Sequence, residues 1–273
     1  MSADLFDIRV GDWRDVLSDL EDESVRLILT SPPYDNAREY EGTANAVDFA
    51  ALADFAIRVL VPGGALVMVL DGAVNDGHLE VTPYRVIVEW ASRQEWRLCQ
   101  VLAYGRHGQP GEYRGRFRRD HEPMIVFHKL GGVVVCNKDA VAEAAKNKPS
   151  PRHYQWATER AGGKRKVTLD RDVRPIRHRG SVWDYGAVGN GNDPSSSTGH
   201  PATFAERFAR DAVAVWSNPG DLVVDPFMGS GTTARACLDL GRRCIGAERV
   251  GKYVGIAARR LAQQPLLLTG GEA

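Results

Sequence analysis

The stretch Thr30-Ser31-Pro32-Pro33-Tyr34 closes an apolar run, Val25-Arg26-Leu27-Ile28-Leu29. That run reads as a buried strand, stopped where two prolines end its pairing. A hydroxyl, a rigid turn and an aromatic ring then stand side by side. The set suits methylation of the exocyclic amine of a nucleobase. Such a nitrogen is a poor nucleophile because its lone pair is delocalised into the ring. Two acceptors, the Ser31 hydroxyl and a main-chain carbonyl of the Pro32-Pro33 turn, can hold both amine hydrogens and favour a pyramidal nitrogen. The face of Tyr34 can stack on the base and stabilise the positive charge that develops as the methyl arrives. An ordinary strand-to-loop exit also uses Ser-Pro-Pro, so the stretch alone leaves both readings open.

A second stretch, Leu222-Val223-Val224-Asp225-Pro226-Phe227-Met228-Gly229-Ser230-Gly231-Thr232-Thr233, runs from an apolar strand into a glycine-rich turn. A helix then opens with two threonines. The glycines allow a ligand to approach the backbone closely, as at nucleotide-binding turns of doubly wound folds. The pattern is neither GxGxxG nor a P-loop, since no lysine follows the glycines, and this disfavours both NAD and ATP. Arg243-Cys244-Ile245-Gly246 reads as the next strand and ends at Ala247-Glu248. Glu248 lies about twenty residues after the turn, where a carboxylate can accept hydrogen bonds from ribose hydroxyls.

The elements that must position these stretches alternate strand and helix. Strands are expected at Phe6–Val10, Val25–Leu29, Ala65–Leu70, Trp96–Ala103, Met124–Phe127, Leu222–Asp225 and Arg243–Ala247. Helices are expected at Trp13–Leu20, Val47–Leu60, Tyr84–Arg93, Thr203–Trp216 and Lys252–Leu261. Such alternation argues for an α/β fold with a doubly wound, mostly parallel sheet. Polar segments Asp35–Thr43 and Gly105–Asp120 read as loops, the first a mobile one over the site. The 273 residues, 43% of them hydrophobic, carry zero formal net charge, as in a soluble globular protein of one or two domains. No apolar run is long enough to span a bilayer, and no basic-then-apolar signal opens the chain. Cys99, Cys136, Cys237 and Cys244 are scattered without a CxxC pair. Reduced thiols in a cytoplasmic protein are expected, with neither a metal site nor a disulfide framework.

From Lys138 to Arg179 periodicity fades, and Lys and Arg strongly outnumber Asp and Glu. Lys164-Arg165-Lys166 is the densest run, and Tyr154, Trp156 and, further on, Trp183 are interleaved. In a neutral chain this asymmetry points to a polyanion partner, the alternative being a solvated insertion. Gly186–Gly199, rich in Gly, Asn and Ser, reads as a linker.

Leu29-Thr30-Ser31-Pro32-Pro33-Tyr34 taken with Asp225-Pro226-Phe227-Met228-Gly229-Ser230-Gly231-Thr232-Thr233 resembles the amino-methyltransferases that modify DNA in bacteria and phages. The catalytic motif precedes the cofactor motif, as in the circularly permuted β-group of that family. Gly199-His200-Pro201-Ala202-Thr203-Phe204, His121-Glu122-Pro123 and Trp216-Ser217-Asn218-Pro219-Gly220-Asp221 match it too, with Ala205 where a proline is expected. The resemblance implies S-adenosylmethionine as cofactor and a seven-stranded sheet of the Rossmann-like methyltransferase type. It implies a catalytic half at 1–130, an irregular target-recognition region at 131–198 and a cofactor-binding half at 199–273.

Site roles follow from the same resemblance. Ser31, Pro32, Pro33 and Tyr34 handle the base. Thr30, Thr203, Phe204, Asp225, Phe227, Gly229, Ser230, Gly231, Thr232 and Glu248 surround the cofactor, with Thr203 and Ser230 near its methionine carboxylate. Asp12 meets the cofactor's adenine amine or, equally well, caps the helix from Trp13. Double-stranded DNA is the expected partner. The target base is flipped out, and Arg38, Tyr40, Arg114, Arg116, Arg118, Arg119, Lys164, Arg165 and Lys166 are the DNA-contact candidates. Adenine N6 is placed slightly ahead of cytosine N4 as acceptor. An RNA or protein-amide methyltransferase and a non-enzymatic DNA-binding regulator are the competing readings. The resemblance also admits a homodimer and a partner restriction endonuclease, although no nuclease motif is apparent in this chain.

Overall fold

The apolar runs become strands of one eight-stranded sheet in a computed structural model. It describes residues 5–33, 47–75, 77–105, 115, 117–144, 153–158, 164–169, 176–186 and 204–262. The strands are β1 (Phe6–Val10), β2 (Val25–Thr30), β3 (Leu60–Val69), β4 (Trp96–Gly105), β5 (His121–Lys129), β6 (Val182–Asp184), β7 (Leu222–Asp225) and β8 (Arg243–Glu248). Their spatial order is β1-β8-β7-β2-β3-β5-β4-β6. All neighbours run parallel except where β5 pairs antiparallel with β3 and β4. Six helices go with them: α1 (Trp13–Val16), α2 (Phe49–Val59), α3 (Thr82–Ala91), α4 (Glu206–Trp216), α5 (Thr232–Asp239) and α6 (Gly251–Ala262).

Both faces of the sheet are covered. Ile28, Leu66, Met68 and Val224 pack with Trp13, Leu52, Phe55 and Trp90 from α1, α2 and α3. The residues of opposite parity, Leu27, Leu29, Val67 and Val223, are equally buried, as a parallel sheet between helical layers requires. Trp90, Trp96 and Phe127 form the densest part of that core, with ring centroids 4.8–5.8 Å apart. The Trp96 indole N–H donates to the Trp90 carbonyl at 2.8 Å, so its polar atom is satisfied inside the core.

Connectivity explains why the motifs meet. From β7 the chain passes through α5 to β8, and β8 pairs with β1, where the sequence begins. After α1 it crosses to the other side of β7 as β2, with Val223 opposite Leu27 and Val224 opposite Ile28. The strand order therefore reverses between β7 and β2, and a ligand crevice opens at such a switch point, at the carboxyl ends of the strands.

Four details depart from expectation. The sheet has eight strands, not seven, because Val182–Asp184 adds to β4 as a parallel edge. Trp183, read as an aromatic of the basic region, is 5% exposed and stacks on Trp216 with centroids 5.5 Å apart. α1 stops at Val16 instead of Leu20, and the Ser18 hydroxyl donates to the Asp15 carbonyl at 2.6 Å. β3 starts at Leu60, directly after α2, and Pro62-Gly63-Gly64 lies in a bulge between the Val25–Leu60 and Leu27–Ala65 pairs.

Lys138–Gly180 forms a separate small unit within the 131–198 stretch. It is more regular than its composition suggested. His153–Thr158 and Lys164–Leu169 pair antiparallel, and Ile176–Arg177 pairs with Glu143–Ala144. His178 meets Asp139 at 2.7 Å.

At the switch point the ends of β2 and β7 are bonded to each other. Asp225 is 1% exposed and Thr30 is fully buried. The Thr30 hydroxyl donates to Asp225 Oδ1 at 2.8 Å, and the Phe227 N–H donates to the same oxygen at 3.0 Å. The Thr233 hydroxyl, from the first turn of α5, donates to Oδ2 at 2.6 Å. These donors favour the carboxylate, but burial outweighs them and pushes the Asp225 pKa up to about 6, with the Glu248 charge adding to it.

Two outcomes follow from these features. Trp183→Ala is expected to lower unfolding stability by about 3–5 kcal/mol, as for a core tryptophan. A change under about 0.5 kcal/mol in urea titration is the result for a solvated residue and contradicts β6 as part of the sheet. For Asp225 the sign is fixed by linkage. A carboxyl with a higher pKa folded than unfolded loses stability as it ionises, between about pH 4 and about pH 6. Asp225→Asn has no such loss, and its amide leaves the Thr233 hydroxyl free to turn and accept. Between pH 4 and pH 7 the variant is expected to gain about 1–3 kcal/mol relative to wild type. A difference that stays constant over that range contradicts the burial of the charge.

Candidate active site

The turn after β7 is held by its own backbone and by the neighbouring strand β8. The Met228 N–H donates to the Ala247 carbonyl at 2.9 Å, and the Gly231 N–H returns to the Met228 carbonyl at 3.0 Å. Gly229 and Gly231 both adopt positive φ, 54° and 80°. At Gly231 a Cβ would lie 2.8 Å from the Ala257 Cβ of α6, so this glycine also admits the helix behind the turn.

Glu248, at the end of β8, braces the turn from the side. Its Oε2 accepts from the Gly229 N–H at 2.9 Å and its Oε1 from the Val250 N–H at 2.8 Å. Burial raises its pKa, and those backbone donors pull in the opposite direction. Each oxygen retains a lone pair, so the carboxylate can hold the turn and still receive two vicinal hydroxyls. Phe227 lies edge-on to Trp13 at 6.3 Å. Asp12 caps α1 through the Arg14 N–H at 3.0 Å, and both its oxygens take the Arg14 guanidinium at 2.9 Å. That fork holds the Asp12 carboxyl below its ordinary pKa. The helix-cap role weighed for Asp12 is thus present in the structure.

Three residues expected around a cofactor face inward. Thr30 gives its hydroxyl to Asp225, and Ser230 and Thr232 are buried against Arg260. The Arg260 guanidinium, from the last turn of α6, donates to the Ser230 carbonyl at 2.9 Å, the Ser230 hydroxyl at 3.1 Å and the Thr232 hydroxyl at 3.2 Å. It also pairs with Glu206 at the start of α4. One side chain therefore joins the turn to both helices that flank it. Phe204 packs edge-on against Phe208, 5.2 Å away.

On the acceptor side Ser31, Pro32 and Pro33 leave the carboxyl end of β2. Beside them, two residues past β3, Asp71 is buried and accepts from its neighbour's Gly72 N–H at 2.8 Å. Arg119 reaches it from the segment before β5, with Nη1 2.6 Å from Asp71 Oδ2 and 3.0 Å from the Gly72 carbonyl. Burial raises the Asp71 pKa, and the Arg119 charge opposes that rise. Arg118 bonds the neighbouring Asp120 at 2.8 Å. Lys164, Arg165 and Lys166 lie on a strand of the smaller unit. Tyr34, Arg38, Tyr40, Arg114, Arg116 and Thr203 fall outside the described residues.

Arg260 and Asp71 were not found by sequence reasoning. Asp71 had a signal, an acid that follows an apolar strand as Ser31 follows β2. Arg260 had none, because an arginine late in an amphipathic helix is usually solvent-facing. No group of three metal-ligating side chains occurs among the described residues, and no described helix is long and apolar enough to cross a membrane. The donor set fits an adenosine-bearing ligand: glycine backbone at a strand end, with a carboxylate on the neighbouring strand.

The chain is similar to known proteins over most of its length. The DNA methylase family model N6_N4_Mtase matches residues 25–259. The orphan methyltransferase M.BamHII of Bacillus amyloliquefaciens is 30% identical over 261 residues, covering 90% of this chain and 92% of that protein. Among solved structures, TTHA0409 of Thermus thermophilus in complex with S-adenosyl-L-methionine is 26% identical with a TM-score of 0.59, over 94% of this chain and 95% of that one. The cytosine-N4-specific PvuII DNA methyltransferase, 17% identical, superposes with a TM-score of 0.68 over 95% of this chain and 87% of its own, a likeness of fold alone. The chain is a member of the N6/N4 DNA methylase family.

Proposed function

We propose that this chain moves the methyl group of S-adenosylmethionine onto the exocyclic amine of a base turned out of duplex DNA. One observation carries the reading. The glycine turn after β7 and the Ser-Pro-Pro turn after β2 leave neighbouring strands at one sheet edge, joined by the Thr30–Asp225 hydrogen bond of 2.8 Å. A donor held by the first turn and an acceptor held by the second are thereby placed within reach of each other.

The cofactor, when bound, supplies a methyl carbon made electrophilic by its sulfonium. Glu248 would hold the ribose hydroxyls, and the backbone around Gly229 would admit the ligand closely. Ser31 accepts one amine hydrogen and a carbonyl of the Pro32-Pro33 turn accepts the other, which directs the nitrogen lone pair at the methyl carbon. The nitrogen–carbon bond forms as the carbon–sulfur bond breaks, and the surplus proton leaves the amine for water. The ring of Tyr34 stacks on the base and stabilises the cationic nitrogen before that proton is lost. A base paired and stacked in a duplex cannot present its amine to such a site, which is why flipping belongs to the reading. Lys164, Arg165 and Lys166, in the basic 138–180 stretch, would meet DNA phosphates. Adenine is the acceptor we favour, since its two-ring face gains most from stacking on Tyr34.

The test is methylation of unmodified duplex DNA with labelled cofactor, followed by digestion to nucleosides and mass spectrometry. N6-methyladenine is the expected product, and N4-methylcytosine alone overturns the choice of base. Label that enters RNA or protein but not DNA overturns the substrate. Ser31→Ala is expected to reduce turnover by about two orders of magnitude or more, as for a lost transition-state hydrogen bond, while cofactor affinity measured by calorimetry stays near wild type. Near-wild-type turnover at saturating DNA contradicts the role of Ser31.

A further inference from the structure

The loop between β4 and β5 opens and closes at the same edge of the sheet as the two motifs. β5 runs against its neighbours, and Gly105 at the end of β4 pairs with His121 at the start of β5. Phe117 in this loop is 97% exposed, the most exposed large apolar side chain among the described residues. Phenyl rings are costly to leave in water, because burying their apolar surface is favourable. An exposed aromatic in a loop is often incidental. Phe117 is distinguished by how firmly the chain beside it is held, and where.

Two residues further on, Arg119 is bonded to the Asp71 carboxylate at 2.6 Å and to the Gly72 carbonyl at 3.0 Å. The main chain at Gly72 is itself closely packed, since a Cβ there would lie 1.9 Å from the Glu80 carbonyl oxygen. Asp71 follows β3, the strand paired with β2 in the register Thr30 opposite Met68. The anchor therefore sits one strand over from the turn that begins at Ser31. Phe117 is carried into solvent from that fixed point, with the cationic Arg118 between ring and anchor.

We propose that Phe117 is the side chain that enters the duplex as the target base leaves it. The inference rests on the base-flipping reading above. Flipping breaks a pair and two stacking contacts, at a cost of a few kcal/mol, and leaves a gap with the thickness of a ring. A planar apolar side chain fits that gap, restores stacking with the flanking bases and regains the burial that Phe117 lacks in the free protein. Arg119, a DNA-contact candidate in the sequence, is then a positioning residue that sets the reach of the wedge.

The experiment uses the full chain, with Phe117→Ala and Phe117→Trp. Two duplexes carry the sequence that the wild-type enzyme marks in unmethylated DNA. In one the target base is correctly paired; in the other it faces a mismatched base, so it is already unpaired. Phe117→Ala is expected to lower kcat/KM on the paired duplex by about tenfold or more, since part of the flipping cost is then no longer offset. It is expected to recover most of that loss on the mismatched duplex, with the KM for S-adenosylmethionine unchanged on both. Phe117→Trp is expected to stay close to wild type. An equal loss on both duplexes, or none on the paired one, overturns the wedge while leaving the methyltransferase reading intact. A wild-type enzyme that marks no sequence in unmethylated DNA overturns that reading, and the wedge with it.

Discussion

A hydrogen bond buried from water joins two residues that are 195 positions apart in the chain: the Thr30 hydroxyl and the Asp225 carboxylate. Much of the site depends on it. Asp225 is where the glycine turn begins, and its Oδ1 also receives the Phe227 N–H of that turn. Thr30 is where β2 gives way to Ser31. One carboxylate thereby fixes the start of the donor turn, the first turn of α5 through Thr233 and the end of the acceptor strand. Desolvation makes this costly and raises the Asp225 pKa, and the three donors offset only part of that cost. Around this point two further side chains brace the turn: Glu248 on the Gly229 N–H, and Arg260 on Ser230 and Thr232.

Seen this way, the order of the motifs in the sequence matters little. The sheet needs β7 beside β2 and β8 between β7 and β1, and it is indifferent to where the chain is cut. What the permuted order changes is the loop that must close. Contacts between β2 and β7 are formed across most of the sequence, and the entropy of closing such a loop grows only slowly with its length. The Lys138–Gly180 unit lies inside that loop as an insertion with its own strand pairs. It carries much of the chain's positive charge outside the sheet domain.

Legibility from sequence followed the reach of each determinant. β7, β8 and the turn after β7 were readable because their signals in the sequence are local: an apolar run, glycines at positive φ, and an acid at a strand end. β2 was readable for the same reason, since Pro32 and Pro33 end it. Thr30 and Ser230 were read as cofactor contacts from the family resemblance. The bonds they make to Asp225 and Arg260 are set by tertiary packing that no local pattern encodes. The same holds for Trp183, which composition assigned to the basic region and burial against Trp216 assigns to the core. The strands at His153–Thr158 and Lys164–Leu169 were obscured by charge: in so basic a segment Tyr154, Trp156, Val167 and Thr168 did not stand out as an alternating pattern. The helix from Trp13 was overextended because Leu17 and Leu20 continue its apolar spacing, although the chain there has already turned.

The claim that one buried bond couples donor and acceptor sites is tested most directly by a double-mutant cycle. Thr30→Val removes the hydroxyl with little change of shape, and Asp225→Ala removes its acceptor. Single-turnover methylation rates are compared for wild type, both single variants and the double variant at saturating cofactor and DNA. Since the two side chains are in direct contact, their effects are expected to be non-additive, with a coupling of about 0.5–3 kcal/mol and a double variant little slower than the worse single one. Strictly additive effects, or a Thr30→Val enzyme as fast as wild type, would show that the two turns are held in place without this bond.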